Sequence, residues 1–381
     1  MPRVPRRVYL DSGSTTAVHP DVLKTYKDLL DRYFVNSESL YDEGSEVHRM
    51  MERARSAAAG LLGVKADEIL FTSGSSESNS LAIKGSALAD PSRKHLITTS
   101  IEHGSVMNSM RQLQRLFGYE VTYLPVSEQG TVTADQVRKA LRPDTVLVSI
   151  MQANNETGAI NPISDIAEVV QKESHALFHV DMTQAIGKIP CPMDGIDLAS
   201  ISAHKIEGLK GSGILMRREY VKLEPIISGG EQEFGLRGGT ANAPADIVFA
   251  KTLRLALENE TKYETEVRAL QQRLIRGLKE IPGIELNSPE HNLPCTVNFS
   301  YEKIPSEVMQ NALNRQGFLV SARSTCESNS NNPSYVLTAM GYSDRRASCS
   351  IRIVLSYHNT EEDVDRFLSA LKEIIRHYGE L

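Results

Sequence analysis

Ser200-Ile201-Ser202-Ala203-His204-Lys205 closes a strand-like run, Asp197 to Ala203, with a histidine and a lysine, and a glycine-rich segment, Gly208 to Gly213, follows at once. Lysine is costly to bury unless it is paired or has a chemical task. A desolvated lysine can carry a Schiff base. Alone, His204-Lys205 also fits a solvated loop pair. What decides between the two readings is whether other parts of the chain bring matching chemistry to the same place.

Upstream of this run, strand and helix patterns alternate. Short apolar runs are predicted as strands at Ile69–Thr72, His95–Ser100, Glu120–Pro125, Thr145–Met151, Leu177–Val180 and Leu198–Ala203. Between them the periodicity predicts helices over Glu77–Leu88, from Glu102-His103 to about Phe117, over Ala134–Leu141 and over Ile163–Glu173. Thr133 with Gln136 three residues on forms a capping box for one of these. Before them, helices are predicted from His19-Pro20-Asp21 to about Tyr33 and over Glu43–Leu62, the second stopped by Gly63. This alternation predicts an α/β fold, a mostly parallel sheet covered on both faces. A charged periodic helix from about Glu258 to Lys279 leads to a smaller α+β domain. Its predicted strands lie near Thr296–Ser300, Phe318–Ser321 and Ile351–Leu355, with a closing helix from Glu361 to about His377. The expected division is 16–257 for the large domain and 1–15 with 258–381 for the small one. By pattern the N-terminal strand at residues 8–11 could join either.

Composition narrows the function classes. The 381 residues are 40% hydrophobic and 24% charged, with net charge -6, so nothing drives the chain electrostatically toward nucleic acid or an anionic membrane. No apolar run of about 18 residues marks a membrane span, and Val8-Tyr9-Leu10 runs straight into Asp11 rather than into a signal-peptide core. The four cysteines, Cys191, Cys295, Cys326 and Cys349, form no Cys-x-x-Cys pair, so no metal site is expected and a reducing cytoplasm is. The densest loop signal, Glu327 to Pro333, follows Cys326.

His103, Asn155, Asp181 and Lys205 each follow a predicted strand at its C-terminal end, the edge where open α/β sheets bind ligands. Singly, each has a plain structural reading: helix cap, turn, surface charge. Together their types suit pyridoxal 5'-phosphate. Lys205 can bind the cofactor covalently, Asp181 can keep the ring nitrogen protonated, His103 can pack on the ring and Gln184 can reach its hydroxyl. Gly74-Ser75-Ser76, between a strand and a helix, offers backbone N–H groups and hydroxyls to a phosphate, with Ser202 and His204 as further donors. No Gly-Lys-Ser/Thr follows, so this is not a P-loop.

These residues sit in stretches that resemble the cysteine desulfurases of the nitrogen-fixation and iron–sulfur-cluster type, class V aminotransferase-like enzymes of fold type I. The matching stretches include Tyr9-Leu10-Asp11 with Thr15-Thr16, Phe71-Thr72-Ser73-Gly74 with Glu77-Ser78, Glu102-His103 and Asn154-Asn155-Glu156-Thr157-Gly158. They continue through His179-Val180-Asp181 with Thr183-Gln184, His204-Lys205, Arg237-Gly238-Gly239-Thr240, Ser324 with Cys326, and Ser350-Ile351-Arg352. The resemblance implies a homodimer that releases sulfur from L-cysteine as L-alanine is formed. Lys205 would bind the cofactor and shuttle protons, with His103 stacked on the ring. Ser76, Ser202 and His204 would bind phosphate, with Thr240 supplied by the neighbouring subunit. Asn155 and Arg352 would hold the substrate carboxylate. Cys326 would take the sulfur as a persulfide and pass it to an acceptor protein, for tRNA thiolation, thiamine or iron–sulfur clusters.

The chain departs from the family pattern at several places. Ser321-Ala322-Arg323-Ser324-Thr325-Cys326-Glu327 replaces a run of small residues, with Arg323 favouring the thiolate and Glu327 opposing it. Ser12-Gly13-Ser14 replaces a more usual Asn/Tyr-Ala/Ser-Ala, Tyr41 stands for histidine, and Ser75-Ser76 stands for Ala-Thr. Three readings stay open at this stage: a cysteine desulfurase, a lyase for selenocysteine or cystine or another enzyme of the same class, and a non-catalytic partner in sulfur transfer.

Overall fold

A seven-stranded sheet in the order β2-β8-β7-β6-β5-β3-β4 organises the chain. Its strands are β2 (Ile69–Thr72), β3 (His95–Thr99), β4 (Glu120–Leu124), β5 (Thr145–Met151), β6 (Leu177–Asp181), β7 (Leu198–Ser202) and β8 (Gly213–Arg217). The structure is a computed structural model that describes residues 6–322 and 332–378. Only β8 runs antiparallel to its neighbours, β2 and β7; β4, β3, β5, β6 and β7 pair in parallel.

β5, Thr-Val-Leu-Val-Ser-Ile-Met, is buried at every position, as a parallel strand covered on both faces must be. Successive side chains serve opposite faces. Phe71, Ile97, Val148, Phe178 and Ile201 pack with Ala54, Ala58, Ile166, Val170, Phe249 and Leu253. Leu70, Leu96, Leu147, Leu198 and Leu215 pack with Leu81, Ile83, Val106, Met110 and Leu113 on the other side.

Two elements of this layer are missing from the sequence expectation, and two helices differ from it in detail. The glycine-rich segment after Lys205 leads into β8, which was not predicted. Gly213 begins it because a Cβ there would lie 2.7 Å from Gly74 Cα and 2.6 Å from the Ile201 carbonyl. The helix Ala243–Glu258 was also not predicted. It packs with Val22 and Leu29 through Val248, with Val47 and Met51 through Ala243, and with the sheet core through Phe249 and Leu253. Surrounded on most sides, it carries little of the polar face that periodicity detects. The predicted helix at Glu77–Leu88 begins earlier, at Ser75, and passes through a π turn, Leu81–Gly85, into Ser86–Ala89. The predicted helix from about Glu258 is interrupted by a second π turn, Tyr263–Val267, before Arg268–Lys279.

The C-terminal part forms an antiparallel sheet of β9 (Ile284–Leu286), β10 (Thr296–Tyr301) and β12 (Ser350–Val354), in the order β12-β10-β9. β1 (Val8–Tyr9) pairs in parallel with β11 (Phe318–Leu319), so the N-terminal strand packs with this part of the chain. Its core joins Val8, Leu10, Phe299, Phe318, Ile353 and Phe367. Asp11 bridges to Val354, and Ser321 bridges to Arg352. This places the turn after β1, and Arg352 on β12, opposite the C-terminal edge of the large sheet. Among the described residues no helix is long and apolar enough to cross a membrane.

Because β8 and the Gly74 turn touch without an intervening side chain, Gly213→Ala is expected to cost about 1–3 kcal/mol through overpacking. Chemical denaturation measures it, and a variant as stable as the parent contradicts this packing.

Candidate active site

A cavity of about 710 Å³, its open mouth included, lies at that edge. Ser75, Ser76, His103, Asn155, Asp181, Gln184, His204, Lys205 and Arg352 line it, together with Gly13 and Ser14 of the turn after β1. Two further residues singled out from the sequence, Gly74 and Ser202, stand just behind: a Cβ on Gly74 would be 3.4 Å from Ser202 Oγ. Thr240 is exposed and is not among the residues lining the cavity. Cys326, with Arg323 and Glu327 beside it, lies outside the described residues.

Lys205 ends a short 3-10 turn, Ala203–Lys205, that continues β7. Its Nζ donates to the carbonyls of Gly13 at 2.6 Å and Ser14 at 2.7 Å. Gln184 Nε2 donates to the same Gly13 carbonyl at 3.0 Å. That carbonyl is within reach because Gly13 has no side chain; a Cβ would meet Val354 Cγ2 at 2.7 Å. Thr16 fixes the other end of the turn, its N and Oγ1 both donating to the His204 carbonyl.

Asp181 ends β6, buried, with both carboxylate oxygens engaged. Oδ1 accepts from Thr183 N at 3.0 Å and Oδ2 from Asn79 Nδ2 at 2.8 Å. Asn79 Nδ2 also donates to Ser105 Oγ at 2.9 Å, and Ser105 Oγ meets His103 Nδ1 at 2.8 Å. A polar chain therefore joins Asp181 to His103. Ser105 N also donates to His103 Nδ1, so Nδ1 is an acceptor and the ring proton of neutral His103 belongs on Nε2. Burial holds His103 below the usual histidine range; Asp181 pulls it up and Lys205 pushes it down. Burial, with Lys205 and other lysines, pushes His204 down to about 4. Two residues before Asp181, His179 is clamped between Ser149 Oγ at 2.8 Å and Ser200 Oγ at 2.9 Å, and burial favours its neutral form.

The turn before Ser75 is built for close backbone approach. Gly74 adopts φ 138°, open to glycine, and caps the helix that follows. Glu77 braces the turn: Oε2 accepts from Ser73 N at 2.8 Å, and Oε1 pairs with Arg237 Nε at 3.1 Å. Arg237 begins the segment that leads to Thr240.

Arg352, only 2% exposed, donates from Nη1 to the Asn155 carbonyl at 2.8 Å. Its Nη2 donates to Asp11 Oδ1 at 2.9 Å and Ser14 Oγ at 2.7 Å. Arg352 Nε, Asn155 Oδ1 and Thr183 Oγ1 are buried without a hydrogen-bond partner among the described residues. Buried polar atoms left in that state at one cavity are what a polar ligand would satisfy. With an amine, a braced carboxylate and a helix N-terminus around them, the residues fit pyridoxal 5'-phosphate.

Several contributors were given no role from the sequence, though Asp11, Ser14 and Thr183 stand in the quoted stretches. Asn79, Ser105 and Thr183 carry ordinary helix or turn signatures, and only the fold brings them to Asp181 and His103. Asp11 and Ser14 lie far along the chain from the residues they touch. Glu102, quoted only beside His103, is wholly buried and accepts from Thr99 Oγ1 at 2.7 Å and from Met151 N. Burial, with Asp181 nearby, pushes its carboxyl up to about 8.

Residues 8–367 match the Aminotransferase class-V family. The chain is 41% identical over 375 residues to cysteine desulfurase IscS of Methanosarcina thermophila, covering 97% of this chain and 92% of that protein. Its structure resembles that of a NifS-like protein with TM-score 0.92 and 38% identity, covering 97% of this chain and all of the other. It also resembles SspA, solved in complex with cysteine, with TM-score 0.80, 35% identity and coverage of 91% and 98%.

Glu102 ties stability to pH. Its carboxyl titrates near 8 when folded and near 4.5 in the open chain, so the folded form alone holds the proton between those values. Its contribution is therefore full below about pH 4.5 and is lost as pH rises toward 8. Glu102→Gln is expected to flatten that part of the profile in denaturation series between about pH 5 and 8. Equal slopes for parent and variant contradict the assignment.

Proposed function

This chain belongs to the class-V aminotransferases and, within them, to the cysteine desulfurases, and from that premise we propose that it binds pyridoxal 5'-phosphate on Lys205, converts L-cysteine to L-alanine and passes the sulfur through Cys326 to an acceptor protein. The observation that carries the reading is the convergence of Lys205 and Asp181, from adjacent strands, on one cavity with the Gly74–Ser76 turn.

When bound, the cofactor supplies an electron sink for the substrate carbon. Asp181, oriented by Asn79 and Thr183, holds a proton at the ring nitrogen. His103 covers the ring face, and Gln184 reaches the ring hydroxyl. Ser75, Ser76, Ser202 and His204 bind phosphate with the backbone N–H groups after Gly74. Asn155 and Arg352 hold the substrate carboxylate. Lys205 Nζ, released from the Gly13 and Ser14 carbonyls, moves protons at the substrate carbon. The Cys326 thiolate attacks the substrate sulfur. The new S–S bond forms as the C–S bond breaks, the electron pair stays with the substrate, and protonation gives alanine.

A second copy supplies Thr240 to the phosphate. The two sheets have distinct main cores, which supports a division at 16–257 against 1–15 and 258–381, with Ala153 and Ala185 of the first part packing into the second core. Free Cys191, Cys295 and Cys349 support a reducing compartment, the cytoplasm.

Mass spectrometry after incubation with L-cysteine tests the reading. Alanine and one added sulfur on Cys326 are the expected products. Lys205→Ala is expected to lose both alanine formation and the visible absorption of bound cofactor. Cys326→Ser is expected to lose sulfur delivery; delivery at the parent's rate contradicts the persulfide role.

A further inference from the structure

Arg352 presents a conflict that its hydrogen bonds make explicit. A guanidinium carries five N–H groups and grips a carboxylate with two parallel ones. The two forks available are Nε with Nη2 and Nη1 with Nη2, so Nη2 belongs to both. Here both Nη2 protons are engaged, one by Asp11 Oδ1 at 2.9 Å and one by Ser14 Oγ at 2.7 Å. Nη1 is held by the Asn155 carbonyl, and Nε has no partner among the described residues. The bidentate grip therefore requires Nη2 to release a partner.

Of the two partners, Ser14 is the weaker. A hydrogen bond to an ionised carboxylate is roughly twice as strong as one to a neutral oxygen. Asp11 is further fixed by Ser321 Oγ, which donates to its Oδ2 at 2.7 Å. Ser14 Oγ also has an alternative neighbour, Ser321 Oγ at 3.3 Å, to which it can turn.

We propose that Ser14 is a specificity-setting residue that competes with the substrate carboxylate for Nη2 of Arg352, weakening the binding of α-amino acids. Asp11 remains in place and keeps the guanidinium oriented while Ser14 yields. The proposal rests on the reading of Arg352 as the carboxylate ligand. It concerns affinity rather than the chemical step, since Ser14 Oγ acts through Arg352.

The test uses the enzyme with its cofactor bound. The dissociation constant of L-alanine is read from the cofactor's visible spectrum, and KM and kcat are measured with L-cysteine. Ser14→Ala is expected to tighten alanine and lower KM by about three- to tenfold, the range one net hydrogen bond spans, with kcat changing less than KM. Ser14→Thr, which keeps the hydroxyl, is expected to resemble the parent. Cysteamine, which has the amine and thiol but no carboxylate, is expected to bind parent and Ser14→Ala alike. Unchanged or weaker alanine binding in Ser14→Ala overturns the proposal, as does an equal shift for cysteamine. Arg352→Lys separates the two levels. If it weakens alanine at least about tenfold while Ser14→Ala has no effect, only the competition is wrong. If it leaves alanine binding unchanged, the carboxylate reading itself fails.

Discussion

The contact on which the rest of the site depends is the donation of Lys205 Nζ to two backbone carbonyls from the far end of the chain. Gly13 and Ser14 accept from Nζ, and the turn that carries them is held by β1, by Thr16 and by the packing of Gly13 on Val354. The same turn reaches Arg352 through Asp11 and Ser14. One short segment thus ties the lysine of the large sheet to the arginine of the small one.

The rest of the site is arranged so that little has to move. Asp181 receives one bond from the backbone and one from Asn79, and Asn79 passes the constraint through Ser105 to His103. Beneath them, His179 spans Ser149 and Ser200 across β5, β6 and β7. Such braced polar groups fix rotamers before any ligand arrives. Arg352 is the exception: as a carboxylate ligand, the role proposed for it, it would need one of its partners to give way.

Much of this was legible in the sequence because strand ends are legible. The runs ending near His103, Asn155, Asp181 and Lys205 are short, apolar and punctuated by polar turns, and the parallel-sheet rule places their ends at one edge. The capping box at Thr133 and Gln136 appeared as expected. What was missed has physical causes. β8 begins at Gly213, a glycine required for contact with the Gly74 turn, and glycine reads as loop. The helix Ala243–Glu258 is embedded on most sides and has little amphipathic signature. Asn79, Ser105, Asp11 and Ser14 matter through contacts between distant segments, which no local pattern encodes. Cys326 came from the family resemblance and its polar surroundings in the sequence, and it lies outside the described residues.

The central claim is that Lys205 is the residue to which the cofactor attaches. Borohydride reduction of the purified enzyme, followed by proteolysis and mass spectrometry of the peptides, tests it most directly. The account expects one phosphopyridoxyl group per chain, on Lys205. Attachment to the neighbouring Lys210 or the buried Lys188, or no attachment after incubation with pyridoxal 5'-phosphate, would contradict it.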